Sequence, residues 1–204
     1  MNTVLSLAER HMIRLLVAIP VIFFVNISQA ATYYINPSGN DVTGNGNIGN
    51  PWKTLVWATQ TVTTSGDIIH VTSGTYLETG QCFLAPGVSI EGEGVTSIIK
   101  STLTALFKEI LTLSSPEGTN GNQHISNLKF DGQNLSTFWA IWVKGRSNVS
   151  IYNCTIVDFK ERGVLFSARS DLDDSPPNSA YSTGNKFYNN ILSNCAAYNI
   201  STGI

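Results

Sequence analysis

Three aspartates, Asp171, Asp173 and Asp174, crowd into one short stretch. Carboxylates at this spacing can share a hard cation such as Ca²⁺. The stretch lacks the glycine turn and closing glutamate of a full calcium loop. The competing reading is a solvated acidic loop beside Pro176-Pro177. Four cations recur with matched offsets, Lys144 with Lys160 and Arg146 with Arg162. Such a group acts as a base only if its proton affinity is lowered; otherwise it is exposed turn charge. His70 and His124 stand alone in the sequence and read as strand-edge histidines. Trp139 and Trp142 can stack on a sugar face or pack against neighbours. The sequence names no catalytic residue.

These residues need a scaffold, and the scaffold is legible. An apolar-x-Asn-x-x-apolar pattern returns as Ile125-Ser-Asn127-Leu128-Lys-Phe130, Ile151-Tyr-Asn153-Cys154-Thr-Ile156 and Phe187-Tyr-Asn189-Asn190-Ile-Leu192. An earlier copy, Ile90-Glu-Gly92-Glu-Gly-Val95, has Gly in place of Asn. Gly and Asn tolerate left-handed backbone best. The pattern therefore predicts strand, one-residue bend, strand, repeated along a coiling chain. The expected fold is all-β: a right-handed parallel β-helix, or solenoid, with an N-terminal capping helix. The rival is an antiparallel β-sandwich with Asn-rich turns.

Stacking the copies predicts a column of Leu128, Cys154 and Asn190, and another of Phe130, Ile156 and Leu192. Asn127, Asn153 and Asn189 would form a hydrogen-bonded amide ladder. The outward column Lys129, Thr155, Ile191 contains no carboxylate pair of the kind glycosidases use.

Residues 1–30 read as a secretory signal: Arg14, the apolar run Leu15–Val25, and Ser28-Gln29-Ala30 before the cut. Translation from Met12 would give a tidier leader than translation from Met1. Removal leaves a single domain, 31–204, with a cap and first coil over 31–77 and further coils over 78–204. Insertions are expected at about 96–122 and 167–185. The formal charge of −2 excludes a basic nucleic-acid binder. No stable membrane span is expected after signal cleavage, and the location would be secreted, periplasmic or cell surface. Cys82, Cys154 and Cys195 are odd in number, so they cannot all pair. Buried thiols are expected, with a Cys154–Cys195 disulfide as the alternative. The last strand stops without a closing cap, so the chain reads as a fragment truncated at its C-terminal end.

The segment after the leader carries a resemblance. Tyr33-Tyr-Ile-Asn36-Pro-Ser-Gly39-Asn-Asp41, Asn50-Pro51-Trp52-Lys-Thr54, Gly66-Asp67-Ile-Ile-His70-Val71 and Gly74-Thr-Tyr76 follow one another. Asn50 is predicted to cap a helix with Pro51 at its first position. Trp52, Leu55, Ala58 and Val62 would then line its inner face. This opening resembles the N-terminal cap of the pectate-lyase-like right-handed parallel β-helix family. The resemblance implies polysaccharide lyases or glycoside hydrolases, with Ca²⁺ as cofactor in many members and a Lys or Arg as base. It does not choose an activity, because one fold hosts many. Two functions stay open: a secreted protein with a carbohydrate-related, enzyme-like role on a polysaccharide, and a non-catalytic adhesion, glycan-binding or structural protein. No cofactor is evident from the residues themselves.

Overall fold

The structure is a computed structural model. It describes residues 29–104, 108–135, 139–167, 181–195 and 200–202. The expected secretory leader, apart from its last residues, and Asp171, Asp173 and Asp174 lie outside the described residues.

Among the described residues, fourteen strands and one helix follow in order. They are β1 (Thr32–Ile35), α1 (Leu55–Thr61), β2 (Ile68–Val71), β3 (Gly74–Glu78), β4 (Cys82–Phe83), β5 (Ser89–Gly92), β6 (Ser97–Ser101) and β7 (Glu109–Ser126). Next come β8 (Lys129–Asp131), β9 (Trp139–Tyr152), β10 (Thr155–Val157), β11 (Arg162–Ser167), β12 (Lys186–Tyr188), β13 (Ile191–Ser193) and β14 (Ile200–Thr202). They form two sheets. The larger has nine strands, ordered β1-β2-β5-β7-β9-β11-β14, with β4 on β7 and β12 on β9. The smaller has five, ordered β13-β10-β8-β6-β3. The strand pairs in both are parallel.

This topology corrects the expected fold. The right-handed β-helix, as a solenoid of equal coils, is replaced by two open parallel sheets, one helix and, among the described residues, no closed barrel. The arrangement is α/β-like in the literal sense that a helix lies against parallel strands. The physical reason is unequal strand length. β7 runs for 18 residues and β9 for 14, while β4 has two. A pattern read from short matched segments predicted a uniform repeat that long strands do not make.

The local registers follow the sequence closely. Ile125 pairs with Ile90 and Ile151, and Phe187 with Ile151. Ile156 pairs with Phe130 and Leu192, and Thr155 with Lys129 and Ile191. A one-residue slip would turn every apolar side chain outward, so burial fixes the register. One core cluster joins the sheets: Ile69, Ile90, Ile125 and Ile151 from the larger, Tyr76, Ile99, Phe130 and Ile156 from the smaller.

Asn127, Asn153 and Asn189 adopt φ of 57°, 55° and 55°, the left-handed bend their type predicts. Gly92 does not share that reason. A Cβ there would lie 2.3 Å from the Asn127 carbonyl oxygen and 2.5 Å from Leu128. Gly92 is demanded by close approach, not by positive φ. The expected amide ladder also shifts. Asn127 donates to Ser126 Oγ at 3.4 Å. The amides that bridge strands are one residue on and further back. Asn190 accepts from Cys154 N–H and donates to Ile151 O. Asn185 accepts from Val149 N–H and donates to Arg146 O.

The helix begins later than predicted. Thr54, not Asn50, is the N-cap, and its hydroxyl accepts from Trp57 N–H. Asp41 accepts from Lys53 and Thr54 N–H and from Thr54 Oγ1. Glu78, on β3, accepts from Leu55 and Val56 N–H at 2.7 and 3.1 Å. These distant carboxylates satisfy the free N–H groups at the helix start. Burial pushes the Glu78 pKa up from 4.5, opposed by those two N–H bonds. Trp52 lies outside the helix, bridges β1 beside Ile35 and stacks on Tyr33. Residues 45–52 also satisfy the β1 edge, through Tyr34 N–H to Gly46 O and Trp52 N–H to Tyr34 O. An edge covered in this way is closed to further strands.

The Ser115–Asn122 stretch, part of the insertion expected at about 96–122, lies within β7. It is absorbed by register shifts between Ser114 and Thr119 and between Asn120 and Gln123. Gly118 and Asn122 take φ of 74° and 43° there. All three cysteines are free thiols, so the disulfide alternative is not formed. Burial raises the pKa of each, Cys154 to about 11.

Candidate functional site

The outer face of the larger sheet carries a line of rings and carboxylates that the sequence scatters over 155 positions. Strand pairing assembles it. Tyr34 is opposite His70, His70 opposite Glu91, Glu91 opposite Ser126, Ser126 opposite Tyr152 and Tyr152 opposite Tyr188. His70, Glu91, Tyr152 and Tyr188 each lie one residue beyond an apolar position, Ile69, Ile90, Ile151 or Phe187, and alternation turns them outward, whereas Ser126 is buried in the line.

Two His–Glu contacts sit on this line. His124 Nε2 is 2.6 Å from Glu91 Oε1. His70 Nε2 is 3.3 Å from Glu93 Oε1. Glu93 also accepts from Ser73 Oγ at 2.6 Å and Ser73 N–H at 2.9 Å. The Ser73 bonds, with His70 adding to them, hold the Glu93 pKa below 4.5. The His124 ring leans on Tyr152, with centroids 5.8 Å apart. Tyr152 stacks on Tyr188 at 5.1 Å and 10°. His70 leans on Tyr34 at 5.2 Å.

Beside the stack lies an open pocket of about 260 Å³, lined by Asn122, Gln123, His124, Asn148, Ser150, Tyr152 and Tyr188. Its lining has no lysine, arginine or carboxylate. Asn148 donates to Asn120 Oδ1, and Gln123 donates to Val88 O at 2.7 Å. The floor is therefore braced. Arg146 braces it further, through Nη1 to Gln123 Oε1 at 3.0 Å. Its Nε donates to Ser115 Oγ at 2.7 Å and its Nη2 to Ser114 O at 3.0 Å. Arg146 is 2% exposed, so the exposed turn charge expected from sequence is in fact a buried cation on neutral acceptors. Burial lowers its pKa to about 10, and it remains charged at neutral pH.

The other candidates fall elsewhere. Lys144 lies 3.4 Å from Glu109 and 3.4 Å from the Trp142 ring centroid. Arg162 lies 5.6 Å from the Trp139 ring. Trp139 and Trp142 meet edge to face and pack with Leu165 in a closed cluster. Glu109, 2% exposed, also accepts from Thr112 Oγ1. Lys144 and Glu109 thus satisfy one another beside the packed tryptophans. Lys160 is exposed at a bend. Lys129 and Lys100 flank Asp131 at 3.7 Å on the smaller sheet. Among the described residues no group of three or more His, Cys, Asp or Glu is placed to hold a metal ion. No described helix is long and apolar enough to cross a membrane.

Sequence reasoning treated His70 and His124 singly and missed the line. The signal was present, because Tyr152 and Tyr188 both follow the first apolar residue of their copies, as Glu91 does in the glycine copy.

No family model and no curated protein sequence matches the chain. Among solved structures, ORF18 of Geobacillus virus E2 aligns over 99% of this chain and 44% of that one. The TM-score is 0.50 and the identity 13%. That likeness concerns the fold alone, and the chain spans less than half the length of the viral protein it matches. Neither a family model nor the structural neighbour carries the resemblance to the pectate-lyase-like family, and the β-helix it implied is the fold corrected above. Motifs of Gly, Asn and alternating apolar residues serve any parallel sheet with tight bends, so they do not single out one family.

Proposed function

We infer that this face binds a neutral glycan without turning it over. The observation that carries the reading is the amide-rich pocket, lined without lysine, arginine or carboxylate and walled by the Tyr152–Tyr188 stack. A sugar ring has an apolar C–H face and a rim of hydroxyls. Aromatic rings complement the first, and amides and hydroxyls the second. Tyr188 is 44% exposed, so it offers an accessible surface. An anionic ligand would call for arginine or lysine in the lining, and a fatty ligand for apolar walls. The pocket supplies neither. The wall and floor are fixed by strand pairing and by Gln123 and Asn148, which limits the ordering that binding must impose.

The reading is non-catalytic because the charged groups nearest a catalytic pattern, Glu109 and Lys144, are paired with each other at 3.4 Å, Glu109 buried and Lys144 over the Trp142 ring. The test is an array of neutral and acidic oligosaccharides probed with the native chain and with Tyr152→Ala and Tyr188→Ala. Retention of neutral sugars that falls about tenfold or more in both variants is expected. Retention of no sugar, or equal retention by the variants, overturns the reading.

A further inference from the structure

The pocket is one end of a longer arrangement. Reading outward from β5 in one direction gives Glu91, His124, Tyr152; in the other it gives Glu93, His70, Tyr34. The same three residue types appear in the same order on both sides. In each half the histidine's Nε2 meets a carboxylate from β5 or the residue just after it, and its ring leans on a tyrosine one strand further out. The second half has no part in the pocket. It is nonetheless built, since Ser73 fixes Glu93 through two hydrogen bonds and donates or accepts at Thr96 Oγ1, 2.9 Å away.

We propose that Tyr34, His70 and Glu93 form a second subsite, and that the ligand is an oligomer running across the strands from this subsite to the pocket. The inference rests on the glycan-binding reading above. Tyr34 and Tyr152 stand on strands four places apart, in the order β1-β2-β5-β7-β9. At about 4.8 Å per strand the two tyrosines are separated by roughly 19 Å. A unit that advances about one strand spacing must be repeated about four times to touch both. Glu91 and His124 lie under the middle of that path. Two subsites joined by one ligand chain act as an intramolecular pair, so affinity rises steeply once the chain spans them. The two carboxylates are not free anionic sites, because each is already taken by a histidine. The second subsite therefore suits hydroxyls, which can donate to a carboxylate oxygen and accept from Ser73 or Tyr34.

The experiment uses the full chain on an array printed with length series, dimer to octamer, of neutral glucans, mannans, xylans and N-acetylated amino-sugar oligomers. The expected result is weak retention of short members and a rise of about tenfold or more near the tetramer. Tyr34→Ala should remove that rise, so that long members are retained no better than short ones. Glu93→Gln, an exposed change that spares the strand, should reduce it too and guards against misfolding of the first variant. Equal retention of dimer and octamer, with Tyr34→Ala and Glu93→Gln silent and Tyr152→Ala inactive, overturns the second subsite and leaves the glycan reading intact. Retention of no series overturns both.

Discussion

Replacing Arg146 with methionine keeps most of the side chain's volume and removes its charge and its three hydrogen bonds. The bonds run to Ser115 Oγ, Gln123 Oε1 and Ser114 O. Bonds of this charge-assisted kind each contribute about 1.5–3 kcal/mol net. The loss leaves buried acceptors on Gln123 and Ser115, at a cost of about 1–3 kcal/mol for each unsatisfied group. Against this, the variant no longer desolvates a guanidinium, the same burial that lowers its pKa to about 10. No buried charge is left behind, because the acceptors are neutral, so the cost is that of the lost bonds and unsatisfied acceptors less the desolvation relieved. We place Arg146→Met at about 3 kcal/mol, because the methionine stem still packs. The assay is urea unfolding with the slope compared between proteins. At a slope of about 1–3 kcal/mol per molar, the midpoint should fall by about 1–3 M with the slope unchanged. Arg146→Lys keeps the charge but not the planar fork, so it should fall between the two. A second readout is the pocket, since Gln123 loses its brace and sugar retention should weaken. A midpoint that stays put or rises would refute the reasoning, for it would mean that desolvation outweighs all three bonds.

The bend positions give opposed expectations. Asn153→Gly should be near neutral, whereas Asn153→Ala should cost about 1–2 kcal/mol because alanine resists the left-handed backbone; paired thermal midpoints decide it, and equal effects would sink it. Gly92→Ala should destabilise by more than Asn153→Ala, since its Cβ meets backbone oxygen and not merely an unfavourable φ; a silent variant by urea titration would show that β5 shifts freely. Glu78 has a folded pKa raised above 4.5, so the folded chain holds this proton more tightly than the unfolded one. Stability should therefore fall as pH rises from about 4.5 through the raised value and level off above it. Subtracting a Glu78→Gln urea series from the wild-type series isolates that slope, and a flat difference would contradict it.

How much was legible can be followed residue by residue. Asn127, Asn153 and Asn189 announced their bends because φ preference is a property of residue type. The apolar positions Ile90, Ile125, Ile151 and Phe187 announced their register because a slip would expose them. Asn50 looked like a helix cap, yet Thr54 has that place because Asp41 and Glu78 arrive from 13 and 22–23 residues away to hold the first N–H groups. Arg146 looked like turn charge, yet its partners sit 23–32 residues earlier on β7. The equal coils were an extrapolation from short segments, which carry no information on how long β7 and β9 continue.

Taken alone, then, the sequence determined what is local: alternation along strands, the left-handed bends, the apolar faces and the near-neutral charge. These depend on the backbone preference and polarity of single residues and their immediate neighbours. Only the tertiary structure decided the two-sheet architecture, the burial of Arg146 and the Tyr–His–Glu line across β1 to β12. Those depend on which distant strands lie about 4.8 Å apart, and hydrogen-bonded pairing over long chain separations sets that distance.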